Sequence, residues 1–217
     1  MSKKELLYKI SDTQLFKAAL WLFYPLYYLA KKIASLLHRI KKLIFSQLLL
    51  AELARKNPRS THGKRVFIEP GSEFLLYGGA SVKLGDNVNI DKNCLIKIFN
   101  GATLSIDDNV YMGPYTHIYI SNDMTIGRDV IFGPFCFLID HDHEFGLEDG
   151  LRLDRITSGK NDRIIIGERV WLGTKTTVTK GVTIGDHSVI GAGAVVTRDI
   201  KPNSVAVGVP AREIKSV

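Results

Sequence analysis

The sequence predicts a mainly β chain, a triangular solenoid of hexapeptide repeats that carries an α-helical amino-terminal arm. Three observations predict it. The first is a six-residue pulse of aliphatic side chains in which Ile166, Leu172, Val178, Ile184, Ile190 and Val196 follow one another without a slip. Leu84, Ile90 and Ile96, then Ile106, Met112 and Ile118, then Ile126, Phe132 and Leu138 keep the same step. Neither the 3.6-residue period of a helix nor the two-residue period of a strand generates this pattern, whereas a coil of three short flat faces does. The second observation is what accompanies the pulse. Gly or Asp usually follows at once, and a Val, Thr, Cys, Ala or Ser comes four residues on. The aliphatic residue fills the interior, the small one fits the tight space near it, and Gly, Asp and Asn turn the corners. The third is the stretch 15–53, which lacks glycine, holds only Pro25 among prolines and reads as helix.

Residues 1–60 form the arm. Residues 1–11 carry charges but no apolar core followed by a small-residue cleavage pattern, which points to a cytoplasmic protein. The helix is expected to break near Pro25. Its first half is crowded with Phe16, Trp21, Phe23, Tyr24, Tyr27 and Tyr28, and the uncharged run between Lys17 and Lys31 is too short to span a bilayer. Its second half is amphipathic. Leu26, Leu29, Ile33, Leu36 or Leu37, Ile40 and Leu43 or Ile44 recur at helical spacing, with Lys32, Ser35, Arg39 and Lys42 on the other side. Charge follows the same division. Residues 1–65 hold fourteen Lys and Arg against three Asp and Glu, a surplus of eleven, so the rest of a chain of net charge +7 sums to −4.

A basic amphipathic helix beside Trp and Tyr suits an anionic membrane surface, with residues 1–55 as peripheral contact on the inner leaflet. The rival reading is that the apolar stripe caps the open end of the solenoid or joins helices in an oligomer. Nucleic acid is not an expected partner, because the basic residues alternate with a thick apolar face and line no polar groove. Residues 55–60 are the linker, and residues 61–217 are the solenoid.

Within the solenoid, Cys94 and Cys136 each fall four residues after a pulse position and read as packing, not chemistry. Interruptions of the period are the places where a site can form. The step from Ile118 to Ile126 is eight, and the step from Leu138 to Ile166 is twenty-eight. Leu138 should lie one coil above Ile118, so the corner Ser121-Asn122-Asp123 should stack under the corner Asp140-His141-Asp142-His143-Glu144. A long loop, about 144–163, leaves from the same corner, with Gly146, Gly150 and Gly159 giving it freedom. A histidine there can act as a general base at neutral pH. Asp123, one coil below, is the expected carboxylate partner of His141. Asp140 and Asp142 are expected to point away from it, as sequence neighbours in extended chain do.

At this point the segments IGERVWLG (166–173), VTIGDHSVIGAGAVVT (182–197) and GVPAR (208–212) resemble the hexapeptide-repeat acyltransferases. They are similar above all to the maltose/galactoside O-acetyltransferase branch and its relatives that acetylate bacterial surface polysaccharides. The resemblance covers about residues 65–217 and leaves the arm without a counterpart. It implies a left-handed parallel β-helix, a homotrimer, and acetyl-CoA as co-substrate in the groove between subunits, with no metal. It implies that His141 or His143 deprotonates a sugar hydroxyl, His141 being favoured, and that Asn122 binds the acceptor. It further implies a backbone N–H oxyanion donor at Thr174 and a wall from Trp171. The pantetheine arm would lie along Gly173, Ala192 and Gly193, and the phosphates near Arg198 and Arg212. His187 reads as a surface corner residue, and His117 has no evident partner.

Three functions follow as expectations. The first is acetyl-CoA-dependent O-acetylation of a sugar, on a glycan or polysaccharide precursor at the membrane. The second is a non-catalytic β-helix scaffold. The third is a zinc enzyme of the gamma-carbonic-anhydrase kind, for which the spacing of His117, His141 and His143 is unsuited.

Overall fold

The computed structural model describes residues 14–146, 150–157, 159 and 162–216. The arm is one helix, α1 (Gln14–Lys56), which runs through Pro25 without a break. Proline removes one backbone donor and crowds the carbonyl four residues back. Here long runs of Leu, Ala and Lys on both sides carry helix propagation across the defect. Among the described residues no helix is long and apolar enough to cross a membrane. The chain divides into two compact units, residues 1–42 and 43–217, so the last turns of α1 belong with the solenoid.

The solenoid is built coil by coil. The first coil holds β1 (Thr61–His62), β2 (Phe67–Ile68) and β3 (Glu73–Leu76), and the second holds β4 (Ser81–Leu84), β5 (Asn89–Ile90) and β6 (Leu95–Ile98). Next come β7 (Thr103–Ile106), β8 (Tyr111–Met112) and β9 (His117–Ile120), then β10 (Met124–Ile126), β11 (Ile131–Phe132) and β12 (Phe137–Ile139). After an excursion of β13 (Asp142–Gly146) and β14 (Gly150–Thr157), the coils resume with β15 (Ile165–Ile166), β16 (Trp171–Leu172) and β17 (Thr177–Val178). The last are β18 (Thr183–Ile184), β19 (Val189–Ile190) and β20 (Val195–Val196), closed by β21 (Ser204–Val207) and β22 (Arg212–Ser216). Every third strand stacks in parallel register, giving a first face β1-β4-β7-β10-β15-β18, a second β2-β5-β8-β11-β16-β19-β21-β22 and a third β20-β17-β12-β9-β6-β3. Among the described residues, only the closing pair β21–β22 and the excursion β13–β14 are antiparallel.

The packing follows the repeat. All fifteen pulse residues, from Leu84 to Val196, are buried. Cys94, Thr116, Cys136, Thr176 and Ala194 form the column of small buried residues beside them. One corner column is left-handed: Asn87, Asn109, Asp129, Arg169, His187 and Asn203 all have φ between 54° and 59°. Asn and Asp tolerate that region because their side chains bond locally. Asn87 Nδ2 donates to Asn109 Oδ1 at 2.9 Å, and Asn109 Nδ2 donates to Asp129 Oδ1 at 3.0 Å. His187 is an exposed member of this column.

The open end of the stack is covered from α1. Leu50 and Leu53 are buried in the core, and Phe45 and Leu49 pack against it. Ser46, fully buried, accepts the Ile68 N–H at 2.8 Å and donates to the Ile68 carbonyl at 3.1 Å. A side-chain hydroxyl thus stands in for the missing neighbour strand of β2. Residues 45–53 therefore cap the solenoid.

Candidate active site

The site candidates gather where the third face turns back to the first. This corner is widened through the lower coils: Phe74 to Leu84 and Ile96 to Ile106 each take ten residues, Ile118 to Ile126 takes eight, and Val178 to Ile184 takes six. The break after Ile118 is thus one member of a widened column. Tyr77 stacks on Phe99 with centroids 5.3 Å apart, and Phe99 meets the edge of His141 at 6.0 Å. Leu138 pairs with Ile118 as expected, which sets His141 above Ser121.

Along the third face the interior positions are Ile96 and Ile98, Ile118 and Ile120, then Leu138 and Asp140. A carboxylate therefore occupies a position that is isoleucine in the two coils below. A fully buried carboxylate must be paired. Asp140 Oδ1 accepts the Ser121 N–H at 2.8 Å, and Oδ2 accepts the Asn122 N–H at 2.7 Å. His141 Nδ1 lies 3.0 Å from Asp140 Oδ1. A carboxylate oxygen accepts, so a proton sits on Nδ1, and in the neutral ring Nε2 then keeps its lone pair.

The expected partner of His141 is thereby corrected: it is Asp140, not Asp123. Several aspartates of this solenoid reach back to N–H groups of the preceding coil, as Asp108 does to Asp86 and Asp186 to Glu168. Asp123 obeys the same rule and accepts the Thr103 N–H at 2.7 Å, on the side away from His141. Asp140 does so too, and its inward position still leaves Oδ1 within reach of the neighbouring ring.

His141 is 4% exposed, whereas His143 is exposed and meets the His141 ring edge-on at 6.1 Å. Ser121 Oγ and Asn122 Nδ2 are buried without a hydrogen-bond partner among the described residues. These two unpaired polar atoms lie beside His141, whose Nε2 has no hydrogen-bond partner among the described residues, and a ligand rich in hydroxyls would satisfy all three. The expected loop 144–163 is largely an antiparallel strand pair, β13 with β14, and residues 147–149, 158 and 160–161 lie outside the described residues. At its base Lys180 Nζ lies 2.7 Å from Asp142 Oδ2 and 3.9 Å from Asp162 Oδ2. The hydrogen bond to Asp142 pushes the Lys180 ammonium above its ordinary range. Sequence reading did not single out Lys180 or Ser121. The signal for Asp140 was there, as an acid in an isoleucine column.

The remaining candidates lie elsewhere. Trp171 is exposed on the second face in register with Ile131 and Val189. Thr174 occupies the corner between second and third faces. In the coil of His141 the third face holds β12 (Phe137–Ile139), about 10 Å of extended chain that lies between the two corners, so one chain does not bring His141 together with Thr174. Proline fills the Thr174 position in three lower coils (Pro70, Pro114 and Pro134), so a backbone N–H there has no role in the ladder.

Gly173 is glycine for a structural reason: a Cβ there would meet the Ala192 nitrogen at 2.6 Å. Gly193, at φ +72°, has open space where a Cβ would be. Ala192 is exposed beside it. Arg198 and Arg212 are both exposed, and Arg212 Nη1 donates to the Ala211 carbonyl at 2.7 Å. His117 is accounted for by its ring stack on Tyr119 at 5.9 Å. Among the described residues no three His, Cys, Asp or Glu side chains converge as a metal site.

The fold and repeat define the class: this chain is a hexapeptide-repeat β-solenoid protein. The bacterial transferase hexapeptide model, of six repeats, matches residues 163–198. The galactoside O-acetyltransferase of Escherichia coli is 33% identical over 158 residues, 73% of this chain and 64% of that protein. A protein of the same organism, provisionally named a lipopolysaccharide biosynthesis O-acetyl transferase, is 39% identical over 106 residues, 46% of this chain and 54% of its own length. The chain thus spans between about half and just under two thirds of these relatives. An N-acyltransferase from Bacillus cereus, solved with dTDP and 3-hydroxybutyryl-CoA, shares the fold at a TM-score of 0.62 and 21% identity, over 76% of this chain and 87% of that one.

Proposed function

We propose that this protein is an acetyl-CoA-dependent O-acetyltransferase that acylates a sugar hydroxyl, with His141 as general base. The observation that carries the reading is the Asp140–His141 pair, set in a widened corner beside the unpaired Ser121 Oγ and Asn122 Nδ2. The names of the relatives, acetyltransferases of sugars and of lipopolysaccharide biosynthesis, support the reaction class.

The donor supplies an acyl thioester. His141 Nε2 takes the proton of the acceptor hydroxyl as that oxygen bonds to the acyl carbon. The carbon–sulfur bond then breaks, and the departing thiolate takes the proton back from His141, so the base ends as it began. Asp140 holds the ring through Nδ1 and stabilises its protonated form during the step. A base so placed supplies roughly 10² to 10⁴ in rate. Ser121 and Asn122 would bind flanking acceptor hydroxyls.

The N–H of Thr174, which the ladder does not need, would meet the charge developing on the carbonyl oxygen, an interaction worth about 3 to 4 kcal/mol in other enzymes. The open space at Gly193 beside Ala192 suits the pantetheine chain, and exposed Arg198 and Arg212 suit its phosphates. His141 and Thr174 occupy different corners, so this reading requires a second copy of the chain, and a closed homotrimer supplies three equivalent sites. Trp171 would then wall the cleft from its own face.

The test is thiol release from acetyl-CoA in the presence of a panel of sugars. The wild type and His143→Ala should turn over, and His141→Ala should lose at least about a hundredfold. Turnover by His141→Ala within about threefold of wild type sinks the base assignment. No thiol release with any sugar favours the scaffold reading, and bound zinc in that case favours the metal enzyme.

A further inference from the structure

The aliphatic residues of the amphipathic stretch of α1 are exposed. Around the helix, Leu26, Leu29, Ile33, Leu36, Leu37, Ile40, Leu43 and Ile44 fall in one arc of about 120°. All of them are exposed, Leu26 at 59% and Leu37 at 60%. Where the helix meets the solenoid it uses the opposite arc, through Ser46, Leu50 and Leu53, while Ile44 and Leu48 remain exposed at 55% and 67%. Within residues 43–53, capping therefore leaves the aliphatic side of the helix, Ile44 and Leu48, exposed.

The charges around that arc indicate what it would meet. Residues 14–51 hold six Lys or Arg and no Asp or Glu. Lys32 and Lys41 fall near the two borders of the aliphatic arc, with Lys31, Arg39 and Lys42 on the face between them. Tyr27 and Tyr28 lie under the ammonium groups of Lys31 and Lys32, at 5.0 and 4.9 Å from the ring centroids. Self-association through the arc would bring cations together with no carboxylate to pair them. An anionic lipid surface offers hydrocarbon to the arc and phosphate to its rims.

We infer that residues 23–44 bind an anionic membrane surface in its plane, the aliphatic arc inward and the lysines at headgroup level. The inference stands apart from the proposed reaction and is read without any turnover assay.

The full chain is sedimented with phosphatidylcholine vesicles containing about 30% phosphatidylglycerol, and with pure phosphatidylcholine vesicles, at low and high salt. It should partition at least roughly tenfold more strongly to the anionic vesicles, an advantage that salt removes. The triple substitution Lys32→Gln, Arg39→Gln and Lys41→Gln preserves helix propensity. It should weaken partitioning by about 100-fold, since each cation near such a surface is worth about fivefold. Ile33→Glu with Leu36→Glu should abolish it. Equal partitioning to both vesicles, or anionic binding unmoved by either variant, overturns the inference. So does a chain that ignores both vesicles, and one whose oligomeric state falls on Ile33→Glu with Leu36→Glu in that case assigns the arc to a second copy.

Discussion

Replacing Asp140 by asparagine isolates the contact on which the site rests. The carboxylate has three donors: the Ser121 N–H at 2.8 Å, the Asn122 N–H at 2.7 Å and His141 Nδ1 at 3.0 Å. An asparagine of the same shape keeps one acceptor oxygen. If that oxygen stays with Ser121 and His141, the amide nitrogen faces the Asn122 N–H, and two donors meet without an acceptor. Losing a hydrogen bond to a charged group costs about 1.5 to 3 kcal/mol, and a buried unpaired donor costs about 1 to 3 kcal/mol. A net destabilisation of about 3 kcal/mol corresponds to a fall in melting temperature of about 6 to 12 °C for a chain of this size.

The catalytic consequence is separate. Turned the other way, the amide oxygen keeps the Asn122 N–H while its nitrogen faces the Ser121 N–H and donates toward Nδ1. This orientation also leaves a donor unpaired, and it selects the opposite tautomer and puts the proton on Nε2, where the base must be free. In another carboxylate–imidazole pair the same change costs about 10⁴ in turnover. The assay is kcat for thiol release beside a thermal melt, with His141→Ala as reference. His141→Ala should lose turnover but keep both backbone bonds to Asp140, so its melt should shift less. Wild-type turnover in Asp140→Asn would refute the role of the pair. An unchanged melt would refute its role as the anchor of the corner.

Burial pushes the Cys94 and Cys136 thiols up to about 11 from 9.0. Both should resist a thiol reagent at pH 8 in the native state and react on unfolding. Because the unfolded chain loses these protons first, stability should fall as pH rises from about 9 to 11; a flat melting temperature over that window would contradict the burial. Gly173→Ala puts a Cβ 2.6 Å from the Ala192 nitrogen, whereas Gly193→Ala meets open space and bears only the strain of φ +72°. Gly193→Ala should cost about 1 to 2 kcal/mol and Gly173→Ala clearly more, a ranking that chemical denaturation reads directly. Ser46→Ala strips both bonds from Ile68 at the capped end and should cost about 1 to 3 kcal/mol, measured by the same denaturation curves.

The six-residue pulse determined the solenoid by itself. A periodic sequence has one periodic solution in which all its aliphatic residues are interior, and the buried run from Leu84 to Val196 is that solution. The stacking of the Ser121 and His141 corners was legible for the same reason, because counting residues along a repeat fixes which lie one coil apart. The amphipathic helix was legible too, although its continuity through Pro25 was not: local propensity locates a defect without saying whether the flanking helix spans it.

What the sequence did not decide depends on direction, not on order along the chain. Asp140 and Asp123 both lie near His141 in the count, and only the backbone geometry sends one carboxylate to the imidazole and the other to Thr103. The stack of Tyr77 on Phe99 in the widened corner and the Lys180 tie at the base of β13 likewise come from neighbours one coil away. Sequence patterning sets which residues are inside. The tertiary structure alone set which backbone donors Asp140 meets, because Ser121 and Asn122 lie roughly twenty residues distant in the chain and on the adjacent coil, about 5 Å away strand to strand.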